Sequence, residues 1–591
     1  MLSESKGQGL MSRIREQLLD GISSENFLDI ATSLFQGDWE NRTEVAKEVA
    51  ALHNEGIVDA LAEFLNLKNG SKNHRFFITR HIFEDAFPYL EAPVVDVMKC
   101  VKHLTKEAGQ DMTAGVLISP FIDFCTKNFS RPQEALELAI EDHDQWKDFI
   151  SPAIIAGARI SLKDYVNHAI ELSQNQSEDI SSSAVLAMGR IDYSDDLETV
   201  TNVVKALMTV VNSSKNDQIF ASVLKTAFAM YKNDRSKKPE IIEILSITLN
   251  NPGDATLHSA SEILFFEKTD LPDFVIDLLL PAFEHVNPEY RGTLDNLDYG
   301  LEYLLKGLRG NQAIILIESL LLKHGREFPL TAFDSLSSEI VKNHNGILSW
   351  TITRWLKSDE ITLGRSSIEL IQENIGKKSE LSADLTQLDK LNVGLNLRLA
   401  KRACGWFFYK PVYAVSYMMS LIELSSEDEV RKISDIIFNP LLISYPGSVK
   451  SYLSNLPENT PEKNKGVSKD LLKRLEEYHD GLRSAQAIKE LEPSIAHREA
   501  YARKINKEMS ASYKEAQKGY FLSHLFGKQS VLLYGNSSIY YIQHGPKGEA
   551  TRHETPLQSI NASIEFPSLE HLDPHSLELM LLDFKLEGYR G

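Results

Sequence analysis

Apolar runs of helical period alternate with short breakers from about residue 8 to about residue 455, and this alternation limits the fold more than any other feature of the chain. Leu197, Val200, Val203, Val204, Leu207, Val210 and Val211 recur at three and four, so they share one face of a helix. The polar run NSSKND (Asn212 to Asp217) stops that helix. The next apolar set, Ile219, Phe220, Val223, Leu224, Ala227, Phe228, Met230 and Tyr231, covers about half of a helix circumference and predicts a more buried partner. The unit then repeats. PEIIEILSITL (Pro239 to Leu249) is followed by the breaker NNPGD and by ATLHSASEILFF (Ala255 to Phe266), with further helices expected over 271–286, 290–308 and 311–324.

A chain of 591 residues is too long for one compact core, since single cores stop growing at roughly 250–300 residues. Stacking one helix pair on the next solves this, because each pair needs only its neighbours to bury its apolar face. One pair per roughly 35–40 residues lies within the period of helical repeats.

In this pattern the chain resembles the HEAT and armadillo α-solenoids over about three quarters of its length. The WxxLGxxY and TPLHxA words of tetratricopeptide and ankyrin repeats are absent. The expected fold class is mainly α: an irregular α-solenoid of HEAT/armadillo-like helix pairs over 1–455, with a small C-terminal α+β module. The resemblance implies an extended surface for proteins, peptides or nucleic acids, and no cofactor is expected because no cofactor motif occurs.

Texture changes at NLPENTPEKNKGVSKD, and 456–470 is expected to be a linker or long loop. The charge also changes sign. The whole chain carries −20, whereas residues 463–528 hold 14 Lys and Arg against 9 Asp and Glu. Basic amphipathic helices are expected over 471–528, and one of them places Arg503, Lys507, Lys514 and Lys518 opposite an apolar stripe. Past Gly527 the period falls to about two, and turns at GNSS and GPKG predict a short antiparallel β-meander within 529–591. Asp573 as N-cap, Pro574 in the first turn and the stripe Leu577, Met580, Leu581 and Phe584 predict a last helix packed on that meander.

Motifs narrow the function by exclusion. No GxxxxGK[ST], strand-following GxGxxG, HExxH or GxSxG occurs. Cys100, Cys125 and Cys404 are far apart and have no ligand spacing, so core thiols and no metal site are expected. The N-terminal stretch lacks an apolar signal core, and no apolar run approaches the roughly 20 residues of a membrane span, which points to a cytoplasmic protein that crosses no membrane.

Two constellations suit binding. In LRLAKRACGWFFYKPVY, Arg398, Lys401, Arg402 and Lys410 flank Trp406 and Tyr409, the mixture of cations and aromatic faces found at protein hot spots and on single-stranded nucleic acid. The helix of Arg503, Lys507, Lys514 and Lys518 is the second. The expected function is a non-catalytic scaffold or adaptor with a protein partner. The alternatives are a nucleic-acid-directed accessory subunit of a bacterial multi-gene system such as antiphage defence, and an enzyme with a site at His544, His553 and Glu554 on neighbouring strands.

Overall fold

The computed structural model describes all residues except 1, 38–40, 70–74, 110–113, 194–195, 234–237, 308, 373–379, 389–393, 489–491, 519–531, 535–536, 544–549, 557–564 and 589–591. It divides into two units, Met1–Leu320 and Leu321–Gly591. Helix numbers run in chain order over the helices that build the repeat and the site.

In the first unit these are α1 (Arg75–Ala86), α2 (Val94–Ala108), α3 (Arg131–Glu141), α4 (Ile150–Ile160), α5 (Leu162–Leu172), α6 (Glu178–Met188), α7 (Leu197–Ser213), α8 (Asp217–Asn233), α9 (Lys238–Asn250), α10 (Asp254–Phe266), α11 (Asp273–Ala282) and α12 (Arg291–Leu305). Each even-numbered helix from α4 to α10 packs on the next even one, ending at α12, and each odd helix from α5 to α9 on the next odd one, ending at α11. Two rows of helices result, which is the packing of a helical repeat. The even row meets its own neighbours and the odd row as well. This is why α8 buries Ser222 and Thr226 along with Val223, Leu224 and Ala227.

The repeat period is also written in polar contacts between successive pairs. Thr226 Oγ1 on α8 donates to the Val185 carbonyl on α6 at 2.7 Å, a separation of 41 residues. Asp217 accepts from Thr256 Oγ1 at 2.6 Å and from the Ala255 and Thr256 amides, 38 and 39 residues on, and so caps α10 from the start of α8. Gly253 makes room for that cap, since a Cβ there would lie 2.4 Å from the Asp217 carboxyl carbon. Asn296 Nδ2 donates to Ser261 Oγ, and His258 meets Thr293 Oγ1, both 35 residues apart. The second unit keeps the interval: the Leu381 amide donates to Ser416 Oγ, and the Gly394 amide to Glu429, each 35 residues away.

A charged cluster lies inside the first unit. Arg80 on α1 is fully buried, its Nε 2.9 Å from Glu84 Oε1, and its guanidinium lies 5.3 Å from the Phe77 ring centre. The other Glu84 oxygen meets His81 Nδ1 at 2.6 Å. That hydrogen bond raises the His81 pKa above its ordinary 6.5, against the opposing effects of burial and Arg80. A histidine whose folded pKa is raised stabilises the fold fully below about pH 6.5 and loses that contribution as pH rises through the folded value. Thermal unfolding of the native chain is therefore expected to show a shallow fall from pH 6 to pH 8 that His81→Gln abolishes. The imidazole is half exposed, so the effect should stay under about 1 kcal/mol.

In the second unit, α13 is Leu395–Phe407, α14 is Ile495–Lys518 and α15 is Pro574–Leu586. The stretch 456–470 is helical from Glu462, where the helix Glu462–Gln486 begins. Three short strands, β1 (Leu532–Tyr534), β2 (Ser537–Gln543) and β3 (Ala550–Pro556), pair antiparallel in that order.

The expected fold class needs correction at this end. The chain is mainly helical, and the α+β module of meander plus helix is not a unit of the fold, because α15 packs along α13 in the helical array. The reason is its composition. Leu577, Leu579, Met580, Leu581 and Leu582 leave α15 apolar nearly all round, so it seeks a helical face rather than a three-stranded ribbon. Gly405 lets the two helices approach closely, since a Cβ there would lie 2.7 Å from the Lys585 amide nitrogen.

Candidate functional site

Four of the residues expected to bind a partner meet the chain's own C-terminal helix instead. Arg402 on α13 is fully buried, with Nε donating to the Glu587 carbonyl at 2.7 Å and Nη1 to the carbonyls of Leu356 (2.7 Å) and Ser358 (2.5 Å). It thereby satisfies a carbonyl at the C-terminal end of α15, where a cation is also favoured by the helix dipole. Lys401 pairs with Glu587 at 3.1 Å. The Lys585 ammonium lies 5.5 Å from the Trp406 ring centre. Arg398 reaches Asp359 at 3.8 Å and lies against Gly588, whose φ of +69° suits a glycine closing a helix.

The remaining candidates are dispersed. Tyr409 is 56% exposed with its ring edge against Phe408, and Lys410 stands half-buried at the N-cap of the helix Pro411–Leu421. Arg503 is exposed beside Glu499 at 3.5 Å, and Lys507 is exposed on the same helix. Lys514 and Lys518 belong to α14, but their side chains lie outside the described residues. His553 and Glu554 sit on β3 opposite Tyr540 and Ile539, with side chains also outside the description, and His544 lies outside it altogether.

The cysteines are buried and free of disulfides. Burial raises the pKa of all three and takes the Cys125 thiol up to about 12, so none is thiolate at neutral pH. Among the described residues, no three His, Cys, Asp or Glu side chains gather closely enough to hold a metal ion. No described helix is long and apolar enough to cross a membrane.

A cleft of about 630 Å³ opens in the first unit where α2, α4 and α6 come together. Val101, Ile118, Phe149, Pro152 and Leu186 form an apolar floor, of which Ile118 and Leu186 are the half-buried members, and Lys102, Lys106, Lys147 and Arg190 line it with a single acid, Asp148. Two of the cations are engaged. Lys102 Nζ donates to the Gln145 carbonyl at 2.6 Å and lies over Trp146, while Lys147 pairs with Asp179 on α6 at 3.0 Å. Lys106 and Arg190 are exposed and have no ion pair among the described residues. Ser151 also lines the cleft, its Oγ buried with no hydrogen-bond partner among them.

Sequence reading missed this cleft because no local run carries it. The signal is one of spacing alone: Lys106, Lys147 and Arg190 stand about one repeat apart, at the end of α2, just ahead of α4 and just past α6.

No family model and no curated protein matches the chain. Similar solved structures include an engineered protein determined by a structural genomics consortium, 12% identical over 76% of this chain and 98% of that one, with a TM-score of 0.20. Another is a circular tandem repeat protein with a novel repeat topology and enhanced subunit contact surfaces, 10% identical over 80% of this chain and 98% of that one, with a TM-score of 0.15. At such TM-scores neither likeness bears on fold or function.

Proposed function

We propose that this chain is a non-catalytic, cytoplasmic helical-repeat scaffold, HEAT/armadillo-like in organisation, that grips a protein partner through the cleft between α2, α4 and α6. The observation that carries this reading is the cleft's lining: an apolar floor under four cations and one acid, in a chain whose net charge is −20. Apolar floors supply the burial that holds a partner, and charged rims select and steer it.

The nucleic-acid reading rests on exposed Arg503 and Lys507 of α14, and one experiment separates the two. The tagged full chain, purified with and without nuclease, is expected to retain a stoichiometric protein that persists after digestion and is lost from the Lys106→Glu/Arg190→Glu variant. A co-purifying species that disappears on digestion, or that ignores the double substitution and dissociates on Arg503→Glu/Lys507→Glu, would replace this reading with the other.

A further inference from the structure

Resting on the assignment of this cleft as the partner's seat, we propose that what it receives is a short acidic segment of the partner protein. Apolar side chains of that segment lie against Ile118 and Leu186, and a carboxylate is held at Lys106 and Arg190.

Three features argue for this occupant. The first is charge. Lys102 and Lys147 are already held by a carbonyl and by Asp179, so Lys106 and Arg190 are the cations left to meet a ligand, and a carboxylate matches them. Ser151 also lines the cleft, its buried Oγ without a hydrogen-bond partner among the described residues.

The second is extent. The lining is drawn from α2, from Gly115 and Ile118 in the segment after it, from 147–152 ahead of and at the start of α4, and from α6 with Arg190 beyond it. It crosses successive elements, and an extended segment fits such a path.

The third is the contrast with nucleic acid. Phe149, the aromatic residue in the lining, is 2% exposed, so the cleft offers no face on which a base could stack. A long polyanion would also run beyond the cleft onto the surface of a chain of charge −20, whereas a short segment feels mainly the local cations, because screening confines their reach to about 8 Å at physiological salt.

The test uses the full chain and three fluorescent probes: a pool of twelve-residue peptides randomised over Asp, Glu, Leu and Phe, a pool randomised over Lys, Arg, Leu and Phe, and a twenty-nucleotide oligothymidine. Anisotropy is expected to show binding of the acidic pool alone. Lys106→Glu/Arg190→Glu should weaken it by about tenfold to a hundredfold. Lys473→Glu, at an exposed lysine outside the cleft, should leave it unchanged, with circular dichroism of all variants alike. Binding of the basic pool or the oligonucleotide in preference, or an acidic pool that ignores the double substitution, would overturn the proposal. If the acidic pool fails to bind while partner capture still depends on Lys106 and Arg190, the acidic-segment proposal falls and the protein-partner reading stands. If capture is also indifferent to them, both fall.

Discussion

Substituting leucine for Arg402 is expected to release the C-terminal helix, speeding amide exchange in α15 by two orders of magnitude or more while exchange in α4 to α12 stays as it was. Three carbonyls, of Glu587, Leu356 and Ser358, depend on this one buried guanidinium. A buried acceptor left without a donor costs about 1–3 kcal/mol; the Leu356 contact is buried and the other two are part-buried, so a loss near 3 kcal/mol is expected in all, and each 1.4 kcal/mol is a factor of ten in opening. The Lys401–Glu587 pair survives the substitution but is partly solvated and worth under about 1 kcal/mol. Gly405→Ala should release the same helix by a different route, since its methyl group would stand 2.7 Å from the Lys585 nitrogen. Unchanged exchange in α15 for both variants would mean that the helix is held by something other than this contact.

The second large effect is expected at the other end of the chain. Replacing Glu84 by glutamine leaves the Arg80 charge buried without its counter-ion, and breaking a buried pair from one side typically costs about 3–5 kcal/mol. Arg80 has little to fall back on. Its side chain is fully buried, and neither Nη has a hydrogen-bond partner among the described residues. Repeat arrays open locally, so the loss should appear as a drop of that size in the opening free energy of α1 amides. A drop below about 1 kcal/mol would show that Arg80 reaches water on its own.

Helix positions were legible because they depend on local chemistry. The breakers NSSKND and NNPGD fall between α7 and α8 and between α9 and α10, and Asp573 and Pro574 begin α15 as capping rules require. What each face touches was not legible. Arg402 and Glu587 are 185 residues apart, and no spacing within either helix announces the contact. Cations beside aromatic residues therefore read as an open binding patch, although much of that patch is taken by the chain's own C-terminus. The placement of α15 failed for a related reason: a helix next to strands in sequence was expected to pack on them, but its nearly continuous apolar surface and the space left by Gly405 direct it to α13. The cleft illustrates the converse. Lys106, Lys147 and Arg190 are unremarkable one at a time and gain meaning only when the fold brings them to one cleft.

The central claim is that the repeat array, through this cleft, is the gripping surface. Hydrogen–deuterium exchange of the captured complex against the free chain tests it most directly. The account predicts protection in 101–106, 147–152 and 183–190. Protection confined to α14, with those three stretches exchanging as in the free chain, would contradict it.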